Sequence, residues 1–213
     1  MTQQLVGAAP PGLWHRGGKR WFDLLASGLG LLALAPVLLM MAAWIKLDSP
    51  GPVFYRQERV GRFGRSFRIH KFRTMRHDPV GTGPQITVGA DARITRAGHF
   101  LRASKLDELA QLIDVFVGDM SLVGPRPEVP RYVAVYPAAM REKVLSVRPG
   151  ITDFASIEFR NESELLAQAA DAEREYVEVI LPHKLGLAAR YVDEASLITD
   201  LRLIARTLRA IVS

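Results

Sequence analysis

Between Leu24 and Ile45 the sequence reads LLASGLGLLALAPVLLMMAAWI, without one charged residue. An apolar helix of that length matches the roughly 20 residues needed to cross a bilayer. A secretory leader would carry a shorter apolar region followed by a small-residue cleavage site, so the stretch reads as a permanent membrane element. Pro36 lies in its middle, where a missing N–H predicts a kink. A kinked helix either enters and leaves on one face or crosses with a bend, since proline is tolerated in membrane helices. Lys19 and Arg20 precede the run, and Arg56, Arg59, Arg62, Arg65, Arg68, Lys71, Arg73 and Arg76 follow it. Basic residues stay on the cytoplasmic side, so two basic flanks favour a re-entrant hairpin with both ends there. In the longer apolar run from Trp21 to Leu47, Asp23 and Lys46, close to its ends, are the only charges.

The 213 residues leave room for one compact domain beside this segment. The division expected is a loose Gly/Pro-rich stretch over 1–18, the membrane element over 19–48, and a cytoplasmic domain over 49–213. Cysteine is absent, which excludes disulfides and thiolate metal sites. The five histidines show no paired spacing of a metal centre. A formal net charge of +6 points to phosphate-rich partners: nucleic acid, nucleotide or an anionic membrane surface. With no recognition helix or aromatic RNA-binding motif, nucleic acid is not expected.

After the apolar run, VFYRQERV and SFRIHKFRTM are short aromatic and β-branched segments separated by GRFGR. That pattern predicts a β-hairpin over Val53–Met75, with Lys71 and Arg73 at the end of its second strand in reach of a phosphate. His77–Gly89 then reads as a flexible connection over the site. The stretch RASKLDELAQLIDVFVGDMSLVGPRP (102–127) follows. Ser104 with Asp107 three residues on has capping-box spacing, which predicts a helix with Ser104 as N-cap. Leu106, Leu109, Leu112, Ile113 and Phe116 would face a core, leaving Asp107, Glu108 and Gln111 on the polar side. Such an ionised aspartate at a helix start is either a cap or a carboxylate nucleophile. Pro125 and Pro127 fix the backbone around Arg126, which is either an exposed turn arginine or a rigid fork for a diphosphate.

Helices are also expected over Arg131–Leu145, ended by VRPGIT, over Glu162–Ile180, stopped by Pro182, and over Ser196–Ile211. The last would carry Leu197, Leu201, Ile204, Leu208 and Ile211 on one side and Arg202, Arg206 and Arg209 on another. It either lies in a membrane interface or packs on the core. Asn161-Glu162-Ser163 matches a glycosylation sequon by chance on a cytoplasmic domain.

Taken in order, KRWFDLL, the apolar run broken at proline, FYRQERVGR, FRIHKFRTM, LRASKLDELAQL, GDMSLVGPRP and VRPGIT resemble the bacterial sugar transferase family, the monotopic phosphoglycosyl transferases. The resemblance runs from Lys19 to Thr152 and more weakly to the C-terminus, and it overrides the cap and plain-turn readings of Asp107 and Arg126. It implies transfer of a sugar-1-phosphate from a UDP-sugar to undecaprenyl phosphate, with release of UMP, as the first membrane step of glycan assembly. It further implies a covalent intermediate on Asp107 and magnesium (Mg2+) held by Glu108. Lys71, Arg102 and Arg126 become phosphate contacts, and Pro36, Pro125 and Pro127 structural residues. The implied fold is helix-rich α+β: a re-entrant membrane hairpin, a cytoplasmic domain with a small sheet, and interfacial amphipathic helices. The implied location is the cytoplasmic face of the bacterial inner membrane, in a minimal catalytic form for which a homodimer is left open. The alternative is a non-catalytic, membrane-anchored scaffold of a glycan-assembly complex. Two departures stand out. Ala35 replaces a serine common before the membrane proline, and Asp153-Phe154 replaces Gly-Trp, so the 153–164 tract leaves the usual pattern. Asp153, Glu158 and Arg160 are expected there as surface charges.

Overall fold

The computed structural model describes residues 14–76 and 91–212. The His77–Gly89 connection and most of the N-terminal segment therefore lie outside the described residues. A π turn, Trp14–Gly18, leads into α1, Lys19–Asp48. Pro36 does not split α1, which continues through it as one helix. The helix is long and apolar enough to cross a membrane, and Leu25, Leu29, Leu32 and Leu39 point outward.

The hairpin forms as the alternation predicts. β1 (Phe54–Val60) and β2 (Ser66–Phe72) pair antiparallel from Phe54 opposite Phe72 to Val60 opposite Ser66. Its turn needs two left-handed residues, Phe63 and Gly64. α2 (Arg96–Ala103) is followed by a 3₁₀ turn (Leu106–Gln111) and α3 (Leu112–Val117). β3 (Ser121–Val123) pairs in parallel with β4 (Gly150–Thr152), and α4 (Pro130–Ala134) and α5 (Ala138–Val144) lie between them. The chain closes with α6 (Phe154–Glu158), α7 (Glu162–Ala167), α8 (Ala172–Glu175), a π turn (Tyr176–Ile180), α9 (Leu181–Glu194) and α10 (Leu197–Val212). This is the helix-rich α+β class expected, with two small sheets.

Three local expectations are corrected. Ser104 ends α2 rather than starting a helix: its Oγ donates back to the Phe100 carbonyl at 2.7 Å, and Lys105 turns left-handed at φ 56°. The cap that works is Thr95, whose side chain accepts from Gly98 N. The helix expected over Arg131–Leu145 is two, because Pro137 removes a backbone donor between α4 and α5. Pro182 does not stop a helix. It lies in the first turn of α9, and the preceding π turn changes the hydrogen-bond pattern where its N–H is missing. Of the two placements left open for the last helix, α10 packs on the core through Asp200 and Leu203 and leaves Leu197, Leu201 and Leu208 exposed.

Both halves of α1 pack on the globular part. Near its start, Lys19 Nζ meets Asp200 at 2.5 Å, Arg20 donates to the Val115 and Phe116 carbonyls, and Asp23 accepts from Ser121 Oγ and Leu122 N at 3.0 Å each. Near its end, Met41 and Ile45 join Phe72, Leu101 and Ala110 in a buried cluster. Asp48 accepts from Ala97 N at 2.9 Å. Arg73, expected near a phosphate, instead caps this end: its guanidinium donates to the Ile45, Ser49 and Pro50 carbonyls, where the helix dipole is negative.

Candidate active site

Four segments converge on one cluster of charge. The 3₁₀ turn presents Asp107 and Glu108, the end of β2 presents Lys71, α2 presents Arg102, and the loop after β3 presents Arg126. Lys71 Nζ lies 2.9 Å from Asp107 Oδ2 and 3.3 Å from Glu108 Oε1. Arg126 grips Glu108 with both Nη atoms, at 2.5 and 3.1 Å. Arg102 donates from Nε to Thr74 Oγ1 at 2.8 Å, and Asp107 is the first of the charges acting on it. The sequence expected Asp107, Glu108 and Gln111 on a polar side. Asp107 and Gln111 are buried, with Asp107 2% exposed, because this side of the turn faces the hairpin rather than water.

Asp107 is the unusual member. Its Oδ2 is held by Lys71, while its Oδ1 is buried without a hydrogen-bond partner. A buried carboxylate oxygen normally finds a donor, so a bare one is primed to meet an electropositive atom. Burial pushes the Glu108 carboxyl up, but Arg126 and Lys71 outweigh it and hold the group well below the usual carboxylate range. Glu108 in turn holds Arg126 above its ordinary value.

The Arg126 loop is fixed by backbone as much as by its prolines. Gly150 N donates to the Pro125 carbonyl at 3.0 Å, and Arg59 Nη1 donates to the Pro127 carbonyl at 2.9 Å. Gly124 N donates to the Thr152 carbonyl at 3.0 Å. Gly124 and Gly150 touch backbone to backbone, so the glycines of VGPRP and RPGIT are one contact seen from two sides. Behind the loop lies a buried ionic group that sequence reasoning missed. Glu128 accepts from Tyr176 Oη at 2.6 Å and from Lys184 at 3.2 Å, with Arg59 3.7 Å away. Its members are far apart in sequence, and no local spacing marks them.

Asp153 is not a surface charge. It is buried, caps α6 through Ser156 N at 2.7 Å, and its Oδ2 lies 3.4 Å from Arg126 N. Burial pushes its carboxyl above the ordinary aspartate value. Glu158 is at the surface, paired with His183. Lys105 was also missed: Glu108, Arg126, Asp107 and Lys71 all act on its ammonium. Its signal was position alone, two residues before the aspartate.

Among the described residues no group of three or more His, Asp or Glu side chains could enclose a metal ion. A hard cation that keeps its waters and is shared with substrate phosphates needs only one or two carboxylates. Glu108, which its neighbouring cations keep ionised, is one such carboxylate.

The profile of the bacterial sugar transferase family matches residues 14–213. The chain is 36% identical over 217 residues to the UDP-N-acetylgalactosamine-undecaprenyl-phosphate N-acetylgalactosaminephosphotransferase of Aeromonas hydrophila, covering 100% of this chain and 48% of that protein. It is 44% identical over 145 residues to the UDP-glucose:undecaprenyl-phosphate glucose-1-phosphate transferase of Xanthomonas campestris pv. campestris, covering 66% of this chain and 30% of that protein. A protein with the same printed activity from Caulobacter vibrioides is 36% identical over 197 residues, covering 92% of this chain and 70% of the relative. The chain thus spans about half the length of the Aeromonas relative and under a third of the Xanthomonas one.

Proposed function

Since this chain belongs to the bacterial sugar transferase family, we propose that it moves a sugar-1-phosphate from a UDP-sugar to undecaprenyl phosphate and releases UMP. The observation that carries this reading is Asp107: one oxygen steadied by Lys71, the other buried and bare. In the first half-reaction the bare oxygen attacks the sugar-linked phosphorus. The bond from that phosphorus to the UMP oxygen breaks, and UMP departs with the electron pair. In the second, an oxygen of undecaprenyl phosphate attacks the same phosphorus, and the aspartyl bond breaks to restore the carboxylate. A carboxylate is a weak nucleophile, so placement and neutralised phosphate matter more than basicity.

Lys71, Arg102 and Arg126 offset charge on the phosphoryl oxygens, where fixed cations act most strongly out of water. Magnesium would be held by Glu108 together with donor phosphates and water, and when bound it supplies neutralisation of the diphosphate. Glu108 can take that part because its neighbouring cations keep it ionised.

A covalent intermediate lets a soluble donor and a lipid acceptor use one site in turn, provided that site lies at headgroup depth. The packing of α1 supports that depth. A straight helix of 30 residues is about 45 Å long. If α1 spanned the bilayer, the domain packed on both its ends would have to enter the hydrocarbon with its charged cluster, at a cost of several kcal/mol (~3) for each charge. A shallow placement in the cytoplasmic leaflet of the inner membrane avoids this, and re-entry would take a bend at Pro36 within the continuous helix. The outward Leu197, Leu201 and Leu208 of α10, beside Arg202, Arg206 and Arg209, suit an interfacial helix on the same leaflet.

The test is UMP release by purified protein given undecaprenyl phosphate, magnesium and a panel of UDP-sugars. UDP-glucose and UDP-N-acetylgalactosamine, the donors in the relatives' names, belong in it. Release with one donor is expected. Folded protein silent across the panel would transfer the case to a non-catalytic scaffold.

A further inference from the structure

The α6–α7 segment is tied to the charged cluster at two points. At its start Asp153 Oδ2 lies 3.4 Å from Arg126 N, and in the turn between α6 and α7 the Arg160 carbonyl accepts from Lys105 Nζ at 3.3 Å. Lys105 itself is held in a left-handed backbone conformation, φ 56° and ψ 15°, which an L-residue with a Cβ adopts at a cost. It makes no side-chain cap bond to the turn it precedes. Its backbone N donates to the Arg102 carbonyl at 3.2 Å and its own carbonyl accepts from Glu108 N at 3.4 Å, so the turn is held by the backbone while the ammonium is left out of it, and left-handed non-glycine residues of this kind cluster at functional sites.

Charge balance says what the ammonium is for. Lys71 and Arg126 are already matched by Asp107 and Glu108, so these four groups sum to zero. Arg102 adds one cation, and a diphosphate entering the cluster brings two negative charges, so before any metal binds it one further cation is favourable. Lys105 lies within the field of all four groups, yet its acceptor is a neutral carbonyl at long distance. A bond from ammonium to a phosphate oxygen is about twice as strong as one to a neutral acceptor, so exchange is favourable.

Resting on the donor class proposed above, we propose that Lys105 is a donor-binding residue: its ammonium leaves the Arg160 carbonyl for a phosphate oxygen of the nucleoside-diphosphate sugar. The α6–α7 segment, released at its central turn and still held at Asp153, thereby responds to donor occupancy.

Uridine diphosphate with magnesium is the probe, titrated calorimetrically against wild type, Lys105→Met, Lys105→Gly and Lys105→Arg. Loss of the ammonium should weaken binding by about 10-fold in both the Met and Gly variants, with Arg restoring it to within about 3-fold. In turnover the loss falls on KM rather than kcat. Amide exchange over residues 154–165 should change on adding uridine diphosphate to wild type and stay unchanged in Lys105→Met. The glycine variant separates charge from backbone, since glycine accepts the left-handed conformation freely. If Lys105→Gly binds like wild type while Lys105→Met does not, the lysine serves only the turn and the proposal falls. The proposal also falls if all the variants bind equally. A folded wild type that binds no uridine diphosphate and releases no UMP from any donor would instead overturn the functional reading on which it rests.

Discussion

Replacing Gly150 by alanine tests how the Arg126 loop is held. A Cβ built at Gly150 falls 2.0 Å from Gly124 N and 2.6 Å from Gly124 O. That is roughly 1.5 Å inside the optimum for two heavy atoms. The near atoms are backbone on both sides, so no side chain can swing away. Relief requires β3 and β4 to part, which loosens the bonds from Gly124 N to Thr152 O and from Gly150 N to Pro125 O. Two net hydrogen bonds at about 1 kcal/mol each, with overpacking of about 1–3 kcal/mol, give a loss of roughly 3–5 kcal/mol. At about 2–4 °C per kcal/mol for a chain of this size, the melting temperature should fall by about 10 °C. Because Arg126 rides on this loop, a shift of 1 Å should also lower UMP release by about 100-fold. Gly186→Ala is the control. It lies exposed within α9 with nothing within 4 Å, and alanine there should add about 1 kcal/mol. Thermal unfolding in detergent and UMP release read both. Gly150→Ala with an unchanged melting temperature and full activity would refute the backbone-contact account.

Asp153→Asn should be at least as stable as wild type at pH 7, because burial raises the carboxyl's pKa in the fold. The group's stabilising contribution is complete below the ordinary aspartate range and lost as pH rises through the raised value, so the gap should close on acidification. Asp153→Ala should instead cost about 1 kcal/mol through loss of the α6 cap. Glu108→Gln, which leaves Arg126 with its side chain 32% exposed and unpaired, should cost about 2 kcal/mol at pH 7 by denaturant titration. The Glu108 contribution is present above the ordinary glutamate range and lost as pH falls through its lowered value, so that difference should shrink in acid. Asp200→Ala should cost about 3 kcal/mol and speed amide exchange at the start of α1, since Lys19 and Trp14 both bond this buried carboxylate.

The hairpin was legible because alternation and a glycine turn are local signals, and β1 and β2 pair as they predict. The Asp107, Glu108 and Arg126 set was legible only as an ordered series of motifs. Local pattern favoured a cap and a plain turn, and nothing within either segment says that Arg126 closes on Glu108 across 18 residues. Ser104 misled because a hydroxyl that can cap the next helix can equally bond back to the helix it ends. Residue spacing in the last helix found its apolar residues and left open what they face, and tertiary packing buries Asp200 and Leu203 instead. Asp23 offered a clue that only the fold explains: a carboxylate at the edge of an apolar run is there to receive Ser121 and Leu122.

The most direct test of the central claim omits the lipid acceptor. Wild-type protein mixed with magnesium and its UDP-sugar should release about one UMP per active site in a burst and gain the mass of one phosphosugar on the peptide carrying Asp107. Asp107→Asn should show neither. A burst that survives in Asp107→Asn, or UMP release that waits for undecaprenyl phosphate, would contradict a covalent step at this aspartate.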